Sequence, residues 1–342
     1  MTQPPPAPPS PTAPTPSAPT PSAPTPPASP VGPERAATLR RPALAVTVLA
    51  AAVILLHVIE LVLLALQGLV ESMPYLVQGY YLILLAANLA FVASVLWLLA
   101  ASSMARVDAR RVSRLPLLML GLLTLSGLLM PAGQLLSVLL QLIGVGGDDA
   151  VGYGLRNLIG TLVNTGGTVL FTLLIGVLGL LLLMRPQRAE RTVRIPMGPV
   201  PLAVMLLVTA LLLAVAAPMQ SVISSWIALD WGLLQAIFAL HAAARGLLAT
   251  LLVLFMGLLF AVTAGTSRRI LWAGFIAYMA AQVVSSVLVR LFMFQMLSGT
   301  APEGEWLAPA TAVVEVIGAL LLATTAVVVL VLRARGSRTP RS

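Results

Sequence analysis

Residues Leu233–Gly265 read LLQAIFALHAAARGLLATLLVLFMGLLFAVTAG, and this stretch decides the fold. It is long and apolar enough to cross a bilayer with a hydrocarbon core about 30 Å thick. It also carries His241 and Arg245, four residues apart and therefore on one helical face. An arginine at the centre of a span costs about 2.5–3.5 kcal/mol on insertion scales, so it requires a partner or water. Partners must come from the other spans.

The composition fits that reading. Of 342 residues, 59% are hydrophobic and 9% charged, and the mean hydropathy is +1.00. A soluble domain carries about 25% charged residues, so most of this chain is solvated by lipid. A net charge of +9 and a pI of about 11.3 resemble a nucleic-acid binder. That partner is rejected, because the positive charges sit in short loops between apolar stretches. There is no cysteine, which excludes disulfides, thiol catalysis and thiolate metal sites. Every basic side chain is arginine, so Schiff-base lysine chemistry is excluded as well. Heavy use of Ala, Gly, Pro and Arg without Lys points to a GC-rich genome and to a bacterial cytoplasmic membrane.

Taken in order, the chain predicts three regions. Residues 1–41 form a Pro/Ala/Ser/Thr-rich arm in which TAPTP at 12–16 is followed by SAPTP at 17–21 and 22–26. Nothing in it can bury a core, so it is expected to be disordered with polyproline II character. It lacks the charged start and apolar centre of a signal peptide. It is either a spacer or a ligand for a cytoplasmic proline-binding partner. Residues 42–334 form an all-α polytopic bundle of eight spans, at about 43–67, 79–104, 115–143, 157–184, 200–223, 233–264, 270–297 and 308–332. Residues 335–342 form a basic tail.

Orientation follows from the arginines. Arg35, Arg40 and Arg41, the loops holding Arg106–Arg114, Arg185–Arg194 and Arg268–Arg269, and the tail alternate along the chain. The intervening loops carry only Arg156 and are acidic, with Glu71, Asp148, Asp149, Asp230, Glu303 and Glu305. The positive-inside rule then places both termini in the cytoplasm.

A polar layer is predicted in the outer half. Glu60, Asn88, Gln134, Asn164, Arg245, Arg290 and Glu315 each fall about six to eleven residues below the outer boundary, or roughly 9–16 Å. The intramembrane acids and arginines cancel in number. Stripes at helical spacing extend the layer: Asn157, Thr161, Asn164 and Thr168; Gln134, Ser137 and Gln141; Gln282, Ser286 and Arg290. One reading is a wet vestibule above a dry cytoplasmic half, a candidate ligand-binding site formed by Glu60, Arg245, Arg290, Glu315, Asn88, Gln134, Asn164 and Gln282. In its sharpest form, both arginines meet both glutamates in one connected site. The competing reading is structural: snorkelling by Arg290, protonated glutamates, and Asn, Gln, Ser and Thr as interhelical hydrogen bonders. Ala273, Ala277, Ala281 and Ser285 form a small-residue stripe suited to close helix packing. Gln134-Leu-Leu-Ser137 and Gln282-Val-Val-Ser285 suggest a repeat of four-span halves, about 43–184 and 200–332.

The available chemistry is narrow. His57 and His241 are the only histidines and lie in different spans. They are candidate axial ligands for haem, the one cofactor the residue set suggests. His57 and Glu60 at i and i+3 offer two metal ligands, short of a closed site. There is no Gly-x-Ser-x-Gly elbow, no intramembrane Asp and no nucleotide-binding motif, so the sequence leans away from an enzyme. Three functions stand at this level: a solute-binding or transporter-like bundle, a haem-bearing redox protein, or a scaffold recruiting partners through the proline-rich arm.

Overall fold

The computed structural model describes residues 33–65, 74–103, 110–143, 150–184, 192–224, 231–297 and 307–336. The arm through residue 32, the end of the tail and the acidic loop residues all lie outside the described residues. Among the described residues, eight helices form the body: α1 (Pro33–Ala65), α2 (Pro74–Ser102), α3 (Arg114–Leu142), α4 (Ala150–Met184), α5 (Pro199–Ser224), α6 (Trp231–Val262), α7 (Gly265–Leu297) and α8 (Leu307–Gly336). Each contains a stretch long and apolar enough to cross a membrane. The chain is a multi-pass integral membrane protein. Helix α1 begins at Pro33, well before the expected membrane boundary, and its apolar span begins at Thr38.

Two arginine-rich loops do more than connect. Strand β1 (Arg111–Ser113) pairs antiparallel with β2 (Thr192–Arg194), in the register Arg111↔Arg194, Val112↔Val193 and Ser113↔Thr192. Val112 is fully buried and Ile195, just beyond β2, nearly so. The ribbon therefore closes its end of the bundle with an apolar plug. We call this the arginine-rich end and the opposite one the acidic end.

The helices expose one apolar face and bury another. On α1, Leu44, Val48, Leu55, Val58 and Val62 are exposed, while Ala43, Val46, Ala50, Val53 and His57 are buried. The buried series advances by three and four residues and the exposed one by three, four and seven, as two faces of one helix do. The exposed face is suited to lipid, and the buried face includes small residues that let neighbouring backbones approach. The closest such approach joins α7 to α8. A Cβ on Gly274 would lie 2.1 Å from Thr325 Oγ1, and one on Gly318 would lie 2.6 Å from Ala281 Cβ. Only hydrogen fits at these positions. Of the expected small-residue stripe on α7, Ala281 and Ser285 face α8, whereas Ala273 is exposed.

The principal helix pairs are α1–α2, α1–α4, α3–α4, α5–α6, α5–α8, α7–α8, α3–α6, α2–α7, α2–α6 and α2–α3. Exchanging α1–α4 with α5–α8 in order maps α2–α6 onto itself and every other pair except α2–α3 onto another member of the set. That is the packing pattern expected of two four-span units related by a pseudo-two-fold axis, with α2 and α6 meeting on it.

Among the described residues, the twelve largest fully buried side chains, Phe260, Phe275, Leu96, Leu98, Leu99, Met119, Leu120, Ile175, Leu202, Leu206, Leu252 and Met256, all fall in the halves of their helices nearer the arginine-rich end. There Phe260, Trp272 and Phe275 form an aromatic cluster, with ring centroids 4.5 Å apart for Phe260–Trp272 and 5.9 Å for Trp272–Phe275. Helix α6 passes into α7 through Thr263 and Ala264, and Gly265 takes a φ of 61°, a left-handed turn that glycine adopts without strain.

Arg268 locks this end. Its Nη1 donates to Ala100 O at 2.9 Å, and its Nη2 donates to Ser103 Oγ and Thr263 O. One guanidinium thereby satisfies carbonyls at the C-terminal ends of both α2 and α6, where the helix dipoles favour a cation.

Candidate polar site at the acidic end

The intramembrane charges fall into two clusters. The deeper one joins α6, α7 and α8. Arg245 Nη2 donates to Glu315 Oε2, and Ser285 Oγ donates to Glu315 Oε1 at 2.9 Å. The side chains of Arg245 and Glu315 are 26% and 17% exposed. Both carboxylate oxygens are engaged, so the pair offsets the desolvation that either charge would suffer alone. Three features seat it. Gly246, beside Arg245, lets α3 pack closely, since a Cβ there would lie 3.3 Å from Pro131 Cδ. The Gly318–Ala281 approach brings α8 onto α7 one turn from Glu315. Tyr278 and His241 lie within Coulombic reach of both members of the pair.

The shallower cluster joins α1, α2 and α7. His57 Nδ1 lies 2.9 Å from Glu60 Oε2, one turn away on α1, with side chains 10% and 18% exposed. The tyrosine hydroxyl of Tyr80 donates to Leu56 O across the α1–α2 contact. Arg290 Nη1 donates to Gln78 Oε1 at 2.7 Å, and its guanidinium carbon stands 4.8 Å from the centroid of the Tyr81 ring. Tyr81 is within Coulombic reach of Glu60 as well as Arg290, so the two charges share one aromatic neighbour. Tyr80 and Tyr81 meet edge to face, with centroids 5.4 Å apart.

The candidate residues thus divide. Arg245 and Glu315 come together directly. Glu60 is taken by His57, and Arg290 by Gln78 and Tyr81. Asn88 Nδ2 donates to Leu84 O at 3.0 Å, a carbonyl of its own helix. Gln134, Asn164 and Gln282 are half-buried and make no hydrogen bond to either cluster among the described residues. Many hydroxyls follow Asn88: Thr47, Ser94, Thr124, Thr209 and Thr250 each donate to a carbonyl three or four residues earlier. They satisfy themselves locally and do not cross between helices.

The two histidines occupy separate clusters, and the Nε2 atoms of both are buried without a hydrogen-bond partner among the described residues. A buried nitrogen of this kind marks a position suited to a further polar group. Sequence reasoning did not find Gln78, Tyr81 or Ser285 as partners, although all three were visible as polar or amphipathic residues near the acidic ends of their spans. Compared with known protein families, curated proteins and solved structures, the chain matches none.

Proposed function

We propose that this integral membrane protein is a solute-binding or transporter-like bundle whose site lies in the acidic-end half. The arginine distribution supports an orientation with that end outside the cytoplasm. The observation that carries the reading is the contrast in polarity along the bundle. Among the described residues, the twelve largest fully buried side chains lie toward the arginine-rich end, while His57, Glu60, Arg245, Arg290 and Glu315 lie toward the other. A packing brace alone needs one neutral pair. Here a second cluster stands beside the first, with two imidazole nitrogens left to accept or donate. Polar groups in a span that exceed the needs of helix association are the usual mark of a solute or ion path.

The test is a stability screen of the purified full-length protein against anionic, cationic and neutral small solutes, in a phosphate-free detergent. At least one class should raise the unfolding temperature saturably, as ligands that bind only the folded state do. A flat response to every class, with no small molecule recovered from the purified protein by mass spectrometry, would overturn the reading.

A further inference from the structure

We propose that Arg290 is the recognition residue for an oxyanion, either a carboxylate or a phosphate, at the acidic-end junction of α1, α2 and α7. The inference rests on the solute-binding reading and names the ligand chemistry of that site.

The argument is a comparison of partners. Arg245 spends its charge on Glu315, and Glu60 lies against His57. Arg290 is held by neutral groups: the Gln78 amide oxygen at 2.7 Å and the Tyr81 ring at 4.8 Å. A guanidinium has five N–H donors, and among the described residues only one of Arg290's is used. No carboxylate of the described residues is paired with it. Half-buried, and with no carboxylate paired to it among the described residues, the group gains from any anion that reaches it.

The two contacts also orient it. A ring against the face and an amide oxygen on one Nη hold the guanidinium, and its remaining in-plane N–H groups carry no hydrogen bond among the described residues. Two parallel N–H donors match the spacing of carboxylate and phosphate oxygens, the geometry in which arginine outperforms lysine. The position suits access. Arg290 is the last residue but one of its apolar span, and Gln78 lies near the start of its own. A soluble anion can reach this depth, and so can a phospholipid headgroup. The oxyanion chemistry is common to both sources, and the experiment separates them.

The full-length protein, in maltoside detergent and chloride buffer, is titrated with inorganic phosphate and with acetate while its unfolding temperature is followed. In parallel, native mass spectrometry counts retained phosphatidylglycerol. In the wild type, at least one of the three probes binds saturably. Arg290→Gln raises the half-saturating concentration by about 10–100-fold, the loss of one charge-assisted contact. Arg269→Gln removes the same charge from the exposed opposite end of α7 and leaves half-saturation unchanged. Binding by phosphate or acetate identifies a soluble ligand. Binding by phosphatidylglycerol alone supports the oxyanion site and removes the soluble-solute reading. If a cationic or neutral solute binds and survives Arg290→Gln, the solute-binding reading stands and the oxyanion assignment falls. The assignment falls too if no probe binds, or if Arg269→Gln weakens binding equally. Should Arg290→Gln fail to fold, Arg290→Lys and Gln78→Leu carry the comparison, and unchanged half-saturation in both overturns the proposal.

Discussion

The two ends of this bundle hold their helices together by different chemistry. Toward the arginine-rich end the contacts are apolar: Leu96, Leu99, Met119, Leu120, Leu252, Met256 and the Phe260–Trp272–Phe275 cluster fill the space between helices, and the β1–β2 ribbon closes it. Arg268 adds a polar contact there, donating to the carbonyls of Ala100 and Thr263 and to Ser103 Oγ. Toward the acidic end, ionic and hydrogen-bonded side chains join α6 to α8 and α2 to α7. Lipid supplies no hydrophobic drive for helix association, so close packing and interhelical polar contacts are what remain. The sealed end uses mainly the first. The polar end uses the second, and its polar groups keep hydrogen-bonding capacity that packed leucine lacks.

The comparison breaks most readily at the deep pair. Replacing Arg245 with Met, or Glu315 with Gln, should each lower unfolding stability by about 3–5 kcal/mol, since each strands a buried partner. The double variant should cost less than the sum of the single losses, measured by denaturant or thermal unfolding of the solubilised protein. Additive losses would mean that the pair does not brace the acidic end.

At the opposite end, Arg268→Gln should cost about 1.5–3 kcal/mol for the loss of its charge-assisted hydrogen bonds. The expected signature is local. Amide exchange should rise at the C-terminal turns of α2 and α6 while the Arg245–Glu315 region stays protected. Equal loosening of both ends would show that they are not separate packing units.

The smallest effect sharpens the contrast within the polar half. Asn88→Ala removes a bond confined to α2 and should cost about 1 kcal/mol or less. A loss as large as that of Glu315→Gln would show that Asn88 supports a contact between helices, and the division into two clusters would need redrawing.

How much of this was legible in the chain can be judged residue by residue. Eight spans and the polarity difference between their ends follow from runs of apolar residues and the distribution of charge. These are one-dimensional properties, because the bilayer itself is organised along one axis. Arg245 and Glu315 were recognisable as costly residues needing opposite partners, and four-span halves were hinted at by Gln134–Ser137 and Gln282–Ser285. The ribbon was not legible. Residues Arg111–Ser113 and Thr192–Arg194 are too short for periodicity to separate strand from loop, and they are about eighty positions apart, so no local signal pairs them.

What the sequence determined by itself is therefore which stretches of the chain are long and apolar enough to cross the membrane. The tertiary structure decided which face of each helix meets its neighbours, and hence that Glu315 takes Arg245 while Arg290 is left to Gln78 and Tyr81. The physical reason lies in the solvent. In water a helix announces its buried face by polarity, but here Leu44 toward lipid and Val46 toward protein are equally apolar. The choice between faces passes to shape, through close approaches such as Gly274–Thr325 and Gly318–Ala281. Shape complementarity is a property of two surfaces together, and it exists only once the helices have met.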